Sequence, residues 1–203
     1  MTRGVKQRIG IDIDDVILGT NEQLTEWHNE FYGTSYTFDQ ICNFDLSPLW
    51  GCSKVEMYRR LSEYFVSEHH DNTSTKDGAL SALEELSFHY NIIAITGRDG
   101  TYQEITKALL ERLLVTKHVV GIVHASSDKK SHFPNKGSAC RYYNIRVFVE
   151  DAPYHTRSII NSGTPCLLYD TPWNRDIEEH PDVRRVFSWS EIPDLVHTEV
   201  RRA

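Results

Sequence analysis

No two of the four cysteines in this 203-residue chain stand in a C-x-x-C spacing, so no thiol redox pair or zinc site is written into the sequence. A chain of this length can bury enough surface to fold without disulfide staples. Cys42, Cys52, Cys140 and Cys166 therefore read as reduced thiols of a cytosolic protein. Long apolar runs are missing as well, and none approaches the roughly 20 residues of a membrane span. The basic stretch Met1 to Arg8 has no signal-type apolar segment behind it, because Asp12, Asp14 and Asp15 interrupt Ile9 to Leu18. The expectation is a cytoplasmic protein without a membrane partner. Positive charge is also scarce: 22 Lys and Arg face 29 Asp and Glu, a net charge of −7. That balance argues against a sequence-independent grip on long nucleic acid, which needs a basic surface. It leaves room for a small anionic substrate, since a bound metal and a few local cations reverse the field inside a cleft.

What is present is an ordinary globular composition, with 39% hydrophobic and 25% charged residues, and no internal repeat. Short apolar runs recur along the chain. Arg8 to Ile13, Asn91 to Ile95, Val119 to His124, Arg146 to Val149 and Cys166 to Tyr169 read as strands. Helical periodicity lies between them, over Gly78 to His89, Thr101 to Leu114 and Tyr154 to Ser162. Such an alternation predicts an α/β fold with a Rossmann-like parallel sheet covered on both faces. The segment from Ile17 to Lys76 breaks the pattern. It has helical stretches at Glu22 to Tyr32 and Lys54 to Val66, many aromatics and no convincing strand. It reads as a helical cap inserted after the first strand, residues 17–76, over a core made of 1–16 and 77–203. It would cover the carboxyl edge of the sheet, where open α/β folds bind ligands.

Four short motifs carry chemistry. The first strand runs apolar to its end and then delivers Asp12, Asp14 and Asp15. Carboxylates this close repel one another unless a cation sits among them, and magnesium favours such oxygen ligands. An acidic turn after an edge strand would look the same. Thr96-Gly97-Arg98 ends the next strand, and a hydroxyl, an unhindered N–H and a guanidinium can hold phosphoryl oxygens. A plain strand-to-helix turn capped by Thr96 or Asp99 is the alternative. Lys136 opens a helix after Asn135, either as a charge-neutralising group or as a surface lysine. Glu150 and Asp151 end a further apolar strand and could complete a metal site with Asp12.

Together these motifs resemble those of the haloacid dehalogenase-like (HAD) phosphohydrolases, in the order D-x-D, T-G, K, E-D and over nearly the whole chain. The segments IGIDIDDVI, AITGR, KGSAC, FVEDAP and Thr171-Pro172-Trp173-Asn174, with the helical insertion, look most like the cytosolic 5′(3′)-deoxyribonucleotidase group. The resemblance implies Asp12 as nucleophile and magnesium ligand. It implies Asp14 as general acid and base, with its backbone carbonyl on Mg2+. Thr96 and Gly97 would bind the phosphoryl group and Lys136 would hold its charge. Asp151 would be the third protein ligand, with Glu150 in or near the metal shell. Asp15 stands where many members have glycine, and Arg98 is absent from some nucleotidases.

The expected function is Mg2+-dependent hydrolysis of a small phosphorylated substrate, a nucleoside monophosphate by preference. Asp14 favours a phosphatase over the superfamily's dehalogenases, which lack that acid, and over its ATPases, which carry threonine there. Sugar phosphates or nucleic-acid 3′-ends are the alternative substrates, and a non-catalytic binding protein is the alternative class. Homodimerisation is left open. Base binding is expected from the cap, with Phe44 and Trp50 as candidates because they flank Asp45 and Pro48 in a stretch without helical periodicity.

Overall fold

In a computed structural model the chain is described over residues 5–202; the first four residues of the basic N-terminal stretch lie outside that range. Six strands form one parallel sheet: β1 (Arg8–Ile11), β2 (Asn91–Thr96), β3 (Val119–His124), β4 (Ile145–Glu150), β5 (Cys166–Tyr169) and β6 (Val183–Val186). Their order is β3-β2-β1-β4-β5-β6. Residues of β2 alternate between the faces: Ile92 and Ala94 join one core cluster, Ile93 and Ile95 the other. Both faces are thus apolar, as a parallel sheet with helices on each side requires. The first cluster packs under α4 (Ala79–His89), α5 (Gln103–Arg112) and α8 (Ile192–Arg202). The second packs under α6 (Lys136–Tyr143) and α7 (Pro153–Ile160).

The expected strands and helices are present within a few residues. Apart from the one-turn helix Glu68–Asp71 and short 3-10 turns, two elements escaped the sequence reading. β6 is an edge strand with Arg184 and Arg185 in its middle, so it carries no apolar run. α8 is amphipathic, with Ile192, Val196 and Val200 buried at four-residue spacing, a signal that was open to view.

Between β1 and β2 lie α1 (Thr20–Tyr32), α2 (Lys54–Phe65) and the short α3 (Glu68–Asp71). They enclose a third cluster of Leu24, Trp27, Ile41, Leu46, Trp50, Met57, Tyr64 and Trp173. Most of the insertion's aromatics therefore form its own core. Ile17 and Leu18, at its expected start, are buried in the first sheet cluster. Leu18 pairs with Thr75, bringing the insertion's two ends together. β1 lies between β2 and β4, where the strand order reverses, and its crevice collects the carboxyl ends of all three.

Candidate functional site

The backbone of Asp12 is still tied to β4, its N–H donating to the Val149 carbonyl at 2.9 Å. Its carboxylate is buried, and Oδ1 accepts from the Ile13 N–H and from Lys136 Nζ, both at 2.7 Å. Lys136 is the first residue of α6, whose N-terminus is capped by Asn135 accepting from the Ser138 N–H at 2.9 Å. Lys136 is fully buried, and its ammonium also reaches Glu150 Oε2 at 2.7 Å. Burial would push its pKa down, but the charges of Asp12 and Glu150 prevail and raise it. Lys136 is therefore a fixed cation.

Asp12, Glu150 and Asp151 bring one oxygen each within 4.8 Å of one another, and all three are buried. One ammonium faces three carboxylates. Burial first, and mutual repulsion second, push the pKa of Glu150 up to about 8 and that of Asp151 well above its ordinary value. Such a set calls for a further cation. The oxygens are unequally engaged. Glu150 Oε1 accepts from the N–H groups of Asp151 and Ala152, and Oε2 takes Lys136. Asp151 Oδ2 accepts from the Trp173 indole at 2.8 Å. Asp12 Oδ2 and Asp151 Oδ1 have no donor among the described residues, which is what a hard cation needs. Trp173 and Asn174, quoted above only as part of a resemblance, thus hold Asp151: the Asn174 amide donates to its carbonyl at 2.8 Å.

Asp14 sits higher and less buried. Thr20 Oγ1 donates to its Oδ1 at 2.6 Å. Arg98 grips it with two arms, Nε to Oδ2 at 2.9 Å and Nη2 to Oδ1 at 2.7 Å. Burial alone would raise the Asp14 pKa, but the Arg98 charge and hydrogen bonds hold it at about 2. Arg98 Nη1 is occupied as well, by His70 Nε2 at 3.0 Å and Thr106 Oγ1 at 3.2 Å. The expectation that Arg98 clamps phosphate is therefore corrected: its fork is closed on Asp14. Thr96 is buried beside it and accepts from the Arg98 N–H at 3.0 Å. Asp99 caps the following turn, accepting from the Thr101 N–H at 2.8 Å. At Gly97 a Cβ would meet His155 Nε2 at 2.5 Å, so His155 requires glycine there. His155 lies four residues beyond Asp151 on α7, a spacing the sequence reading did not use.

Asp15 has φ of +55°, a left-handed conformation that favours glycine. Its carboxylate is buried, accepts from the Asn21 N–H at 3.0 Å, and has its pKa pushed by burial to about 8. This accounts for an aspartate at a position suited to glycine: its side chain satisfies the first turn of α1.

The two aromatic candidates part company. Trp50 is buried in the insertion's core, stacked on His28 with ring centroids 4.4 Å apart and planes 17° apart. It is a packing residue, and the expectation that it binds a base is corrected. Phe44 is 65% exposed and meets His155 edge-to-face at 6.4 Å, next to Gly97.

No family model matches the chain. It is 27% identical to a protein of Halalkalibacterium halodurans provisionally named a nucleotidase, over 100% of this chain and 99% of that one. A haloacid dehalogenase-like family hydrolase from Streptococcus pneumoniae superposes with a TM-score of 0.70 at 14% identity, covering 95% of this chain and 98% of the other. A Bacillus subtilis HAD hydrolase, solved bound to magnesium, superposes with a TM-score of 0.61 at 12% identity, over 95% and 99% of the two chains. With its six-stranded parallel sheet and its acids gathered at the carboxyl edge, the chain has the fold of the HAD-like hydrolase superfamily.

Proposed function

We propose that this protein is a magnesium-dependent phosphate monoester hydrolase that forms an aspartyl-phosphate on Asp12, with nucleoside monophosphates as substrates. The observation that carries the reading is the buried Lys136 ammonium, 2.7 Å from both Asp12 and Glu150, beside the free oxygens of Asp12 and Asp151. Asp12 and Asp151 would hold the metal by their carboxylates and Asp14 by its backbone carbonyl. Glu150, whose two oxygens are already engaged by Lys136 and by backbone N–H groups, would stand beside the shell rather than in it, and it keeps Lys136 in place. When bound, magnesium supplies positive charge opposite the phosphoryl oxygens.

The chain's own groups account for the rest. Lys136 neutralises charge on the transferring group, and the Thr96–Gly97 turn offers it a hydroxyl and a backbone N–H. Asp12 attacks phosphorus in line, and the P–O bond to the leaving group breaks. Asp14 delivers a proton to that oxygen. The incoming phosphoryl dianion raises the pKa of Asp14 through like charge, so that Asp14 takes up from solvent, as substrate binds, the proton it then delivers. Asp14 then takes a proton from water as it attacks the aspartyl-phosphate, releasing phosphate and restoring Asp12.

The insertion after β1 is assigned the choice of leaving group, because the motif residues would reach the phosphoryl group and the leaving oxygen but nothing beyond them. Phe44 supports a nucleotide over a sugar phosphate. It is an exposed ring at the lip of the site, and a base stacks on such a face for about 1–3 kcal/mol. The provisional name of the Halalkalibacterium halodurans relative agrees. The test is phosphate release over a panel of nucleotides and sugar phosphates with magnesium, run beside Asp12→Asn. Nucleoside monophosphates should lead, and Asp12→Asn should fall below a few per cent of wild type while staying folded. Sugar phosphates outrunning every nucleotide would remove the nucleotidase reading. Substantial turnover by the variant would remove Asp12 as nucleophile.

A further inference from the structure

The mechanism above does not use His70, yet His70 is fully buried and belongs to the insertion rather than to the sheet. Its ring is wedged edge-on against Tyr64 at 5.7 Å and Phe65 at 5.5 Å. Its Nε2 faces Arg98 Nη1 at 3.0 Å. Arginine can only donate, so Nε2 accepts and the ring proton resides on Nδ1. That Nδ1 has no hydrogen-bond partner, the nearest acid being Asp71 at 3.6 Å. The one hydrogen bond the His70 ring makes is thus the one that seats Arg98.

Arg98 is placed from several sides. Thr106 accepts from the same Nη1, and the guanidinium carbon lies 4.9 Å from the centre of the Phe65 ring. What remains of the fork is closed on Asp14. The chain of contacts runs from the insertion, through His70 and Arg98, to the proposed acid–base carboxylate.

We propose that His70 is a positioning residue: by accepting from Arg98 Nη1 it orients the Arg98 fork, and through it the Asp14 carboxylate, toward the leaving-group oxygen. The insertion then does more than select a leaving group. It also holds the geometry of the group that protonates it. A carboxylate on a partly open turn can rotate, and a planar two-armed partner removes that freedom. A misplacement of about 1 Å at such a group costs on the order of a hundredfold in rate.

This inference rests on Asp14 acting as the acid and base, so Asp14→Asn is measured first. The readout is kcat/KM over phosphate monoesters graded from p-nitrophenyl phosphate, whose leaving group needs no proton, to nucleoside monophosphates, whose alkoxide does. Asp14→Asn should steepen that dependence. If it does not, the acid–base reading falls, and this inference with it. Given the steepening, His70→Leu should lower kcat/KM roughly tenfold or more for nucleotides and less than about threefold for p-nitrophenyl phosphate. His70→Gln, whose side-chain oxygen can accept from Nη1, should stay within about threefold of wild type on both. Arg98→Lys removes the atom His70 holds and should steepen the dependence as His70→Leu does. If His70→Leu does not fold, His70→Phe, which keeps a ring and loses the acceptor, takes its place with the same expected split between substrates. An equal loss on all esters, no loss, or failure of His70→Gln to rescue would overturn the proposal.

Discussion

Gly137→Ala sets helix propensity against packing. Gly137 is the second residue of α6, and alanine in a helix is favoured over glycine by up to about 1 kcal/mol. Propensity alone therefore predicts a more stable protein. The structure predicts the reverse. A Cβ at Gly137 would lie 2.1 Å from the Ser158 carbonyl oxygen and 2.8 Å from its carbon, on the backbone of α7. No rotamer change relieves a clash with backbone, so α6 must move out by about 1 Å to reach van der Waals separation. Overpacking of this kind costs about 3 kcal/mol at the upper end of its range, leaving a net loss of about 2 kcal/mol. For a chain of this size that lowers Tm by about 4–8 °C. The neighbour of Gly137 is Lys136, held at 2.7 Å from Asp12 and Glu150. A shift of about 1 Å breaks both contacts and should lower kcat/KM on the order of a hundredfold. The assay pairs thermal unfolding with phosphate release, using Gly121→Ala as control, because a Cβ there meets nothing within 4 Å. Gly137→Ala matching wild type in both Tm and kcat/KM would refute the reasoning.

Excess EDTA should abolish turnover, calcium should inhibit through its looser geometry, and magnesium alone should raise Tm; full activity in EDTA would sink the metal assignment. Phe44→Ala should cut kcat/KM for a nucleotide about tenfold while sparing p-nitrophenyl phosphate. Trp50→Ala should instead destabilise by about 3–5 kcal/mol and lower both substrates alike; the opposite division would reverse the two assignments. His28 is buried and neutral, its pKa pushed down to about 4 by burial and by Arg60. The unfolded chain takes up a proton near pH 6.5 that the folded one refuses, so this contribution to stability is lost as pH falls from 6.5 toward 4. Between pH 7.5 and 5, wild type should lose about 2 kcal/mol more than His28→Gln in denaturant unfolding. A pH-independent gap between the two would contradict it.

The sequence by itself determined where the first five of the six strands run and which acids end them. Apolar periodicity is local: Ile11 before Asp12, or Val149 before Glu150, can be read without knowing any distant partner. A parallel sheet then carries those ends to one edge, so Asp12, Thr96, Glu150 and Asp151 were legible as a group, and Lys136 joined them only through the family resemblance. The tertiary structure decided how each side chain is used. Arg98 reads as a phosphate clamp until Asp14, 84 residues away, closes its fork. Trp50 and Phe44 look alike in sequence, but His28 takes the face of one ring and leaves the other exposed at the site's lip. The aspartate at position 15 makes sense only with its φ of +55° and the N–H of Asn21 above it. Each outcome depends on which groups meet across the fold, and on how much water burial leaves them. Local sequence spacing carries neither quantity.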